Sequence, residues 1–409
     1  MHKQVTIRDG WKVVIAGLMI NLSIGVLYSW SVIKKALVSE WGWTNNQATM
    51  PYTIAIVVWG FTLLIAGRMQ DKIGPRKVVT TGVILTGLGL ILSGFLKTPS
   101  LLGISFGVLA GLGISFAYSS VSPPAIKWFH PSKKGMITGI VVAGMGLASL
   151  YIAPLTTMLI KNFQISNTFI VLGVFIITVG VPIAQLIKNP PVGYTPPVPK
   201  HISSGKTIHV DSVDFEWNET LKTKQFYFLW IMFALASSAG LMIIGNIASI
   251  AVAQASIAKG AFFVGLLAIF NACGRLAGGY LSDIIGRVNT MKIVFVLQGV
   301  NMLCFPHYDT FLLISVGTAL AGIGYGSLLA LFPSVIADFY GVKNAGFNYG
   351  LVYTAWGVSG AIGPIIAGFV VDKTGKYDQA YMISAALLAV ALIFTFFTKP
   401  VVKKLNSSK

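Results

Sequence analysis

Arg275 stands near the middle of the apolar stretch IFNACGRLAGGYLSD (269–283), and Asn271 precedes it by four residues. Residues at i and i+4 share one face of a helix, so both side chains would point to the same place. A guanidinium cannot shed its charge by deprotonation. At the centre of a bilayer-spanning helix it costs ~2.5–3.5 kcal/mol even on the lenient insertion scale. Its planar fork matches a carboxylate through paired hydrogen bonds. None of the 12 Asp+Glu residues, and no histidine, falls in the middle of an apolar run. Arg275 thus lacks a deep counter-ion in its own chain, which is the pattern expected when the partner is a bound anion. The competing reading puts Arg275 near the end of its helix, bonded to backbone carbonyls or to Asp283, about 12 Å farther along. Asn271 would donate to the same anion, brace the guanidinium, or simply bond a neighbouring helix.

The elements that must position these groups follow from composition. Of 409 residues, 55% are hydrophobic and 10% charged, against about 25% charged in a soluble domain. This is an all-α membrane protein in contact with a lipid bilayer. A helix needs roughly 20 apolar residues to cross. That ruler predicts twelve transmembrane helices, near 11–33, 47–67, 78–96, 101–127, 135–160, 167–187, 226–252, 260–282, 289–305, 311–337, 346–371 and 379–398. The Pro-rich and polar stretch 188–224 predicts a cytoplasmic linker between an N-terminal half, 1–187, and a C-terminal half, 225–409. Its DFEWNETLKTK end predicts a short surface helix. The N-terminus lacks the cleavage site of a secretory signal.

The formal net charge of +18 resolves into a topology signal. With both termini in the cytoplasm, the inner segments hold 22 of the 30 Lys+Arg and the outer loops seven, Arg275 being the other one. That is the positive-inside bias, and it displaces nucleic acid as a partner. Cys273 and Cys304 offer neither a disulfide framework nor a metal site. No Walker loop, HExxH or GxSxG is present, so an enzyme is disfavoured and no cofactor is expected.

The chain repeats itself. An offset of 211 aligns AGLGISFAY (110–118) with AGIGYGSLL (321–329) and pairs Gly135 with Gly346, Gly139 with Gly350 and Gly146 with Gly357. An offset of 212 pairs Asp71 with Asp283 and Gly74 with Gly286. The predicted fold is therefore two six-helix pseudo-repeats in parallel orientation, with a site between them near mid-membrane and alternating access by rocking. The turns GRMQDKIGPRK (67–77) and GYLSDIIGR (279–287) share Gly-x3-Asp-x2-Gly followed by Arg, and GFVVDKTG (368–375) is a partial third copy. Gly67 and Gly279 permit close helix approach. Asp71 and Asp283 suit a neighbouring helix N-terminus, while Arg76 and Arg287 suit pairing with acids. We read these as gate latches; the alternative is a tight turn with solvated charges.

These turns resemble the loop motif of the major facilitator superfamily. Within it, GVLYSWSV (25–32) and PPVGYTPP (190–197) resemble the oxalate/formate antiporter and prokaryotic monocarboxylate transporter branch. The resemblance implies a major facilitator fold, a secondary transporter of small carboxylates in a prokaryotic cytoplasmic (inner) membrane, and a carboxylate-ligating role for Arg275. Mammalian-type relatives carry aspartate where Asn271 stands, so an obvious proton carrier is missing here. Oxalate-transporting relatives pair the arginine with a lysine in the eleventh span, yet 348–371 contains no Lys or Arg. One buried cation favours one negative charge: a monocarboxylate of the lactate or pyruvate kind, with protons as the expected coupling ion and anion exchange as the alternative.

The fourth run carries AYSSVSPP (117–124) and the tenth GIGYGSLLALFP (322–333), both suited to bending around a cavity. Tyr118 and Tyr325 are candidate hydroxyl donors to the anion. Leu27, Tyr28, Tyr353 and Trp356 are candidate walls. Each aromatic could equally be core or interface belt. The carrier is expected to work as a monomer.

Overall fold

The computed structural model describes residues 7–197, 214–257 and 260–401. The elements in chain order are α1 (Ile7–Ser23), a 3-10 turn (Gly25–Ser29), α2 (Trp30–Trp41), α3 (Asn45–Ile73), α4 (Pro75–Phe95), α5 (Pro99–Leu102), a π segment (Gly103–Ala110), α6 (Gly111–Ser119) and α7 (Ser122–Lys127). They continue with α8 (Lys134–Ala184), α9 (Trp217–Thr220), α10 (Lys224–Ala255), α11 (Gly260–Ile285), α12 (Arg287–Cys304), α13 (Phe311–Tyr340), α14 (Ala345–Thr374) and α15 (Asp378–Phe397). The described residues contain no strand, as expected where lipid cannot satisfy an open sheet edge. Among the described residues, ten segments are long and apolar enough to cross a membrane.

Local sequence explains where helices start and stop. Thr44 and Gln47 form a capping box at the start of α3, and Thr223 and Thr310 cap α10 and α13. The first apolar run is not one helix: it breaks at Gly25–Ser29, where Gly25 lies flat against Ala148. The fourth run is divided by the π segment and by the Pro123–Pro124 pair. The fifth and sixth runs lie within the 51-residue α8, which is interrupted at Gln164 by a left-handed φ of 63°. The predicted linker is docked at both of its described ends. Tyr194 packs on Trp128, whose indole N–H donates to the Lys188 carbonyl at 2.9 Å. Phe215 N donates to the Tyr340 carbonyl at 3.0 Å. The short helix of the DFEWNETLKTK end is the four-residue α9. Residues 198–213, at the centre of that linker, lie outside the described residues.

Two helix crossings are built alike. In α3 against α14, a side chain at Gly67 would collide with the Gly346 carbonyl. In α11 against α8, one at Gly279 would collide with the Gly135 carbonyl. These glycines are the ones paired by the repeat. The turns after α3 and α11 superpose in conformation: Gly74 has φ 91°, ψ 152° and Gly286 φ 91°, ψ 153°. Only glycine adopts that geometry without strain.

At each crossing an aspartate accepts from the N-terminus of the opposing helix. Asp71 accepts from Phe347 N at 2.9 Å and Gly346 N at 3.4 Å. Asp283 accepts from Met136 N at 2.7 Å and Gly135 N at 2.8 Å. Free N–H groups and the helix dipole both favour an anion there. The two differ in what surrounds them. Arg287 binds Asp283 at 2.6 Å and Asp338 at 2.7 Å, and Lys134 reaches Asp338 at 3.0 Å. Arg76 has no such role: it is exposed, and no ion pair reaches it among the described residues. The cause is register. Pro75 inserts between Gly74 and Arg76, so Arg76 follows Asp71 by five residues where Arg287 follows Asp283 by four. One extra residue turns a side chain about 100° around a helix.

Asp283→Asn should therefore lower the melting temperature in detergent more than Asp71→Asn. It disrupts charge-assisted bonds inside a four-charge network, about 2 kcal/mol. Equal shifts would contradict the asymmetry.

Candidate functional site

Helix α11 is clamped on two sides, which sets the direction of Arg275. Towards α13, Gly274 and Gly278 lie against Ile323 and Ser327, and the Ser327 hydroxyl donates to the Gly274 carbonyl at 3.1 Å. Towards α8, Gly139 abuts the Arg275 carbonyl and Gly146 abuts Ala272. Small residues let both backbones come close without lipid between them. The Arg275 side chain is left pointing into the bundle with a relative exposure of 1%.

Its partners are neutral. Nε donates to Asn271 Oδ1 at 3.0 Å, and Nη1 donates to the Val142 carbonyl at 2.5 Å. Asn271 thus braces the guanidinium. Asp283, eight residues on, is engaged by Arg287 and α8 instead. Nη2 has no protein acceptor among the described residues. A buried cation held only by an amide and a carbonyl keeps its full charge uncompensated. Such a group would bind an anion directly.

Tyr28, Tyr118, Tyr325 and Tyr353 have hydroxyls within electrostatic reach of Arg275. All four were candidates from sequence, and each lies on a different element: the Gly25–Ser29 turn, α6, α13 and α14. Tyr118, Tyr325 and Tyr353 are buried, whereas Tyr28 is 37% exposed. The Tyr325 hydroxyl accepts from the Trp356 indole N–H at 2.7 Å, so it is oriented by protein and keeps its own proton to donate. Trp356 and Leu27 are buried apolar surface.

The aromatics form one connected layer. Trp59 meets Tyr118 at 5.3 Å and Trp356 at 5.2 Å between ring centroids. Tyr353 meets Trp356 at 5.1 Å, Tyr349 at 5.2 Å, Phe233 at 5.8 Å and Tyr118 at 5.9 Å. Trp59, Tyr349, Phe233 and the Val142 carbonyl were not singled out from sequence. Trp59 alone had an available signal: the 212 offset places it opposite Asn271. The other three become visible only once helices distant in sequence are packed. The Lys134–Asp338 pair was missed for the same reason.

A family model for the Major Facilitator Superfamily matches residues 13–309 and 279–409. The chain is similar to an oxalate:formate antiporter of Oxalobacter formigenes, with 27% identity over 95% of this chain and 90% of that protein. It is also similar to the MFS-type transporter YhjX of Escherichia coli (strain K12), with 28% identity over 86% of each chain. Monocarboxylate transporter 13 of Rattus norvegicus is 25% identical over 93% of this chain and 86% of its own. Among solved structures, the fold matches the transporter FucP in its outward conformation with a TM-score of 0.66 at 16% identity, covering 95% of this chain and 100% of that one. A bacterial homologue of the iron transporter ferroportin in an outward-facing state matches with a TM-score of 0.71 at 16% identity, over 95% of this chain and 98% of that one. The duplicated Gly–Asp–Gly turns, the buried arginine and the family match agree, and this chain belongs to the Major Facilitator Superfamily.

Proposed function

We propose that this protein is a secondary active transporter of small monocarboxylates, lactate-like or pyruvate-like, working by alternating access. The observation that carries the reading is Arg275: a buried cation whose protein partners are all neutral, with Nη2 lacking a protein acceptor among the described residues. A carboxylate would supply the missing charge and accept from Nη2. Tyr118 and Tyr325 donate to its second oxygen, and Leu27, Tyr28, Tyr353 and Trp356 enclose its short carbon chain. One buried cation accommodates one negative charge, because a second carboxylate would be left unpaired at a cost of several kcal/mol.

In this reading the chain crosses the cytoplasmic membrane of a prokaryote twelve times as a monomer, with both termini inside. Residues 1–187 and 225–409 are the two rocking halves, and 188–224 links them in the cytoplasm. The Asp71 and Asp283 contacts tie the halves together on the cytoplasmic side. They must break for substrate to leave inward, so they hold the outward-facing state. Coupling is proton symport, and with Asn at position 271 the proton travels by another route, such as on the acid itself. Exchange of one anion for another is the second reading, favoured by the similarity to an oxalate:formate antiporter.

Uptake of labelled lactate into proteoliposomes, with and without an inward proton gradient, separates the two. Symport predicts accumulation driven by the gradient from empty vesicles. Uptake that ignores the gradient and requires internal anion would establish exchange. Arg275→Lys keeps the charge but removes the fork, and we expect it to lower kcat/KM for lactate at least ten-fold, about 1.4 kcal/mol or more. Normal transport by that variant would rule out bidentate recognition.

A further inference from the structure

The described segment just before α10 is fastened to the start of α14. Phe215 is buried, and its carbonyl accepts from the side-chain amides of Asn344 at 3.0 Å and Asn348 at 3.1 Å. Its N–H donates to the Tyr340 carbonyl at 3.0 Å. The Asp214 carboxylate accepts from Lys343 N at 3.0 Å and lies against Gly341, whose φ is 81°. On α9, the buried Thr220 hydroxyl donates to Asn348 Oδ1 at 3.1 Å. Both polar atoms of the Asn348 side chain are therefore spent on this strap. Thr223, at the start of α10, shares a hydroxyl bond of 2.7 Å with Tyr340, at the end of α13. The strap is thus seated on the ends of three helices.

It lands where α14 meets α3. Phe347, the residue before Asn348, gives its backbone N–H to Asp71 at 2.9 Å. Arg68 of α3 lies 5.8 Å from the centroid of the Phe347 ring, and Trp217 of α9 meets that ring edge-on at 6.1 Å. Lys127, on α7, is within charge reach of both Asp71 and Asp214. Adjacent residues in the first turn of α14 therefore hold different partners: Phe347 holds α3 and Asn348 holds the strap. The other crossing is not built this way. The 211 offset places Ile137 opposite Asn348, and a buried isoleucine offers a strap no polar group. There Asp283, Arg287, Asp338 and Lys134 bind the elements together instead.

We propose that residues 214–220 are a clasp on the gate: docked, they hold the start of α14 where Asp71 engages it and keep the carrier outward-facing, and inward opening requires the clasp to yield. This inference rests on the gate reading of the Asp71 and Asp283 contacts. The device works by position. Asp71 needs the Gly346 and Phe347 N–H groups in register, and the two asparagines that grip the Phe215 carbonyl bracket that pair in sequence. The clasp supplies, at the α3–α14 crossing, the restraint that the four-charge network supplies at the α8–α11 crossing.

The test measures the cytoplasmic opening of the full chain by double electron–electron resonance. Spin labels on Arg76→Cys and Asn289→Cys, both exposed positions outside the clasp, are placed in a Cys273→Ala, Cys304→Ala background. Thr220→Val removes the hydroxyl at nearly constant shape, and Trp217→Ala removes the ring against Phe347. Each should raise the ratio of long to short distances about five-fold. Thr220→Ser keeps the hydroxyl and should match the parent. Asp71→Asn and Asp283→Asn report on the gate itself. If they raise the ratio while Thr220→Val and Trp217→Ala leave it unchanged, the gate reading stands and the clasp fails, even where the melting temperature falls, because a merely structural role does not move the distribution. A shift in Thr220→Ser equal to that in Thr220→Val also overturns the clasp. If neither aspartate variant moves the ratio, the gate reading fails, and with it the inference built on it.

Discussion

The centre of this protein holds one permanent charge, Arg275, with no counter-charge among the described residues. Arg275 cannot deprotonate, is buried, and is held by an amide and a backbone carbonyl. In a low-dielectric interior such a cation is unfavourable until an anion joins it. The fold tolerates it because α11 is anchored on both flanks by glycine and serine contacts that do not depend on the charge. In the proposed account the charge is reserved for a ligand. In the proposed account this is what makes substrate binding and conformational change one event, since only the occupied site is electrically complete.

The two ends of each crossing helix do opposite work. Near the middle, α11 presents an incompletely satisfied cation. Eight residues later it presents Asp283, whose carboxylate is saturated by two backbone N–H groups and Arg287. In the proposed account the saturated end resists motion and the incomplete end takes the ligand. On α3 the matching positions hold Trp59 near the middle and Asp71 at the end. The repeat therefore preserves the geometry of both crossings, but where α11 carries Asn271 and Arg275 the matching α3 positions carry Trp59 and Leu63, and the four-charge network at the end gives way to a simpler contact.

How much of this was legible beforehand depended on the range of the interaction. Arg275 and Asn271 were readable because they lie one helical turn apart, and the Gly–Asp–Gly turns because the chain repeats them. The fold class was readable because a bilayer imposes helix length and apolarity on every crossing. The role expected of Arg76 was wrong in detail, since Pro75 shifts it by one residue and no composition argument weighs that rotation. The Val142 carbonyl, Tyr349 and the Lys134–Asp338 pair were not readable. Their partners lie 133 residues away for Val142 and 203 or more for Lys134, and no local period marks such meetings. The break in α8 at Gln164 was hidden likewise, being a backbone conformation rather than a residue type.

The central claim is that a carboxylate rests on the Arg275 guanidinium. The chain has only five arginines, Arg8, Arg68, Arg76, Arg275 and Arg287, which makes the contact directly measurable. Solid-state dipolar recoupling between lactate labelled at its carboxyl carbon and protein labelled at the arginine guanidinium reads the distance. The account predicts a separation of about 4 Å, the spacing of a bidentate pair, present in the wild type and lost in Arg275→Gln. No recoupling in the wild type at saturating lactate, or a signal that survives in Arg275→Gln, would contradict it.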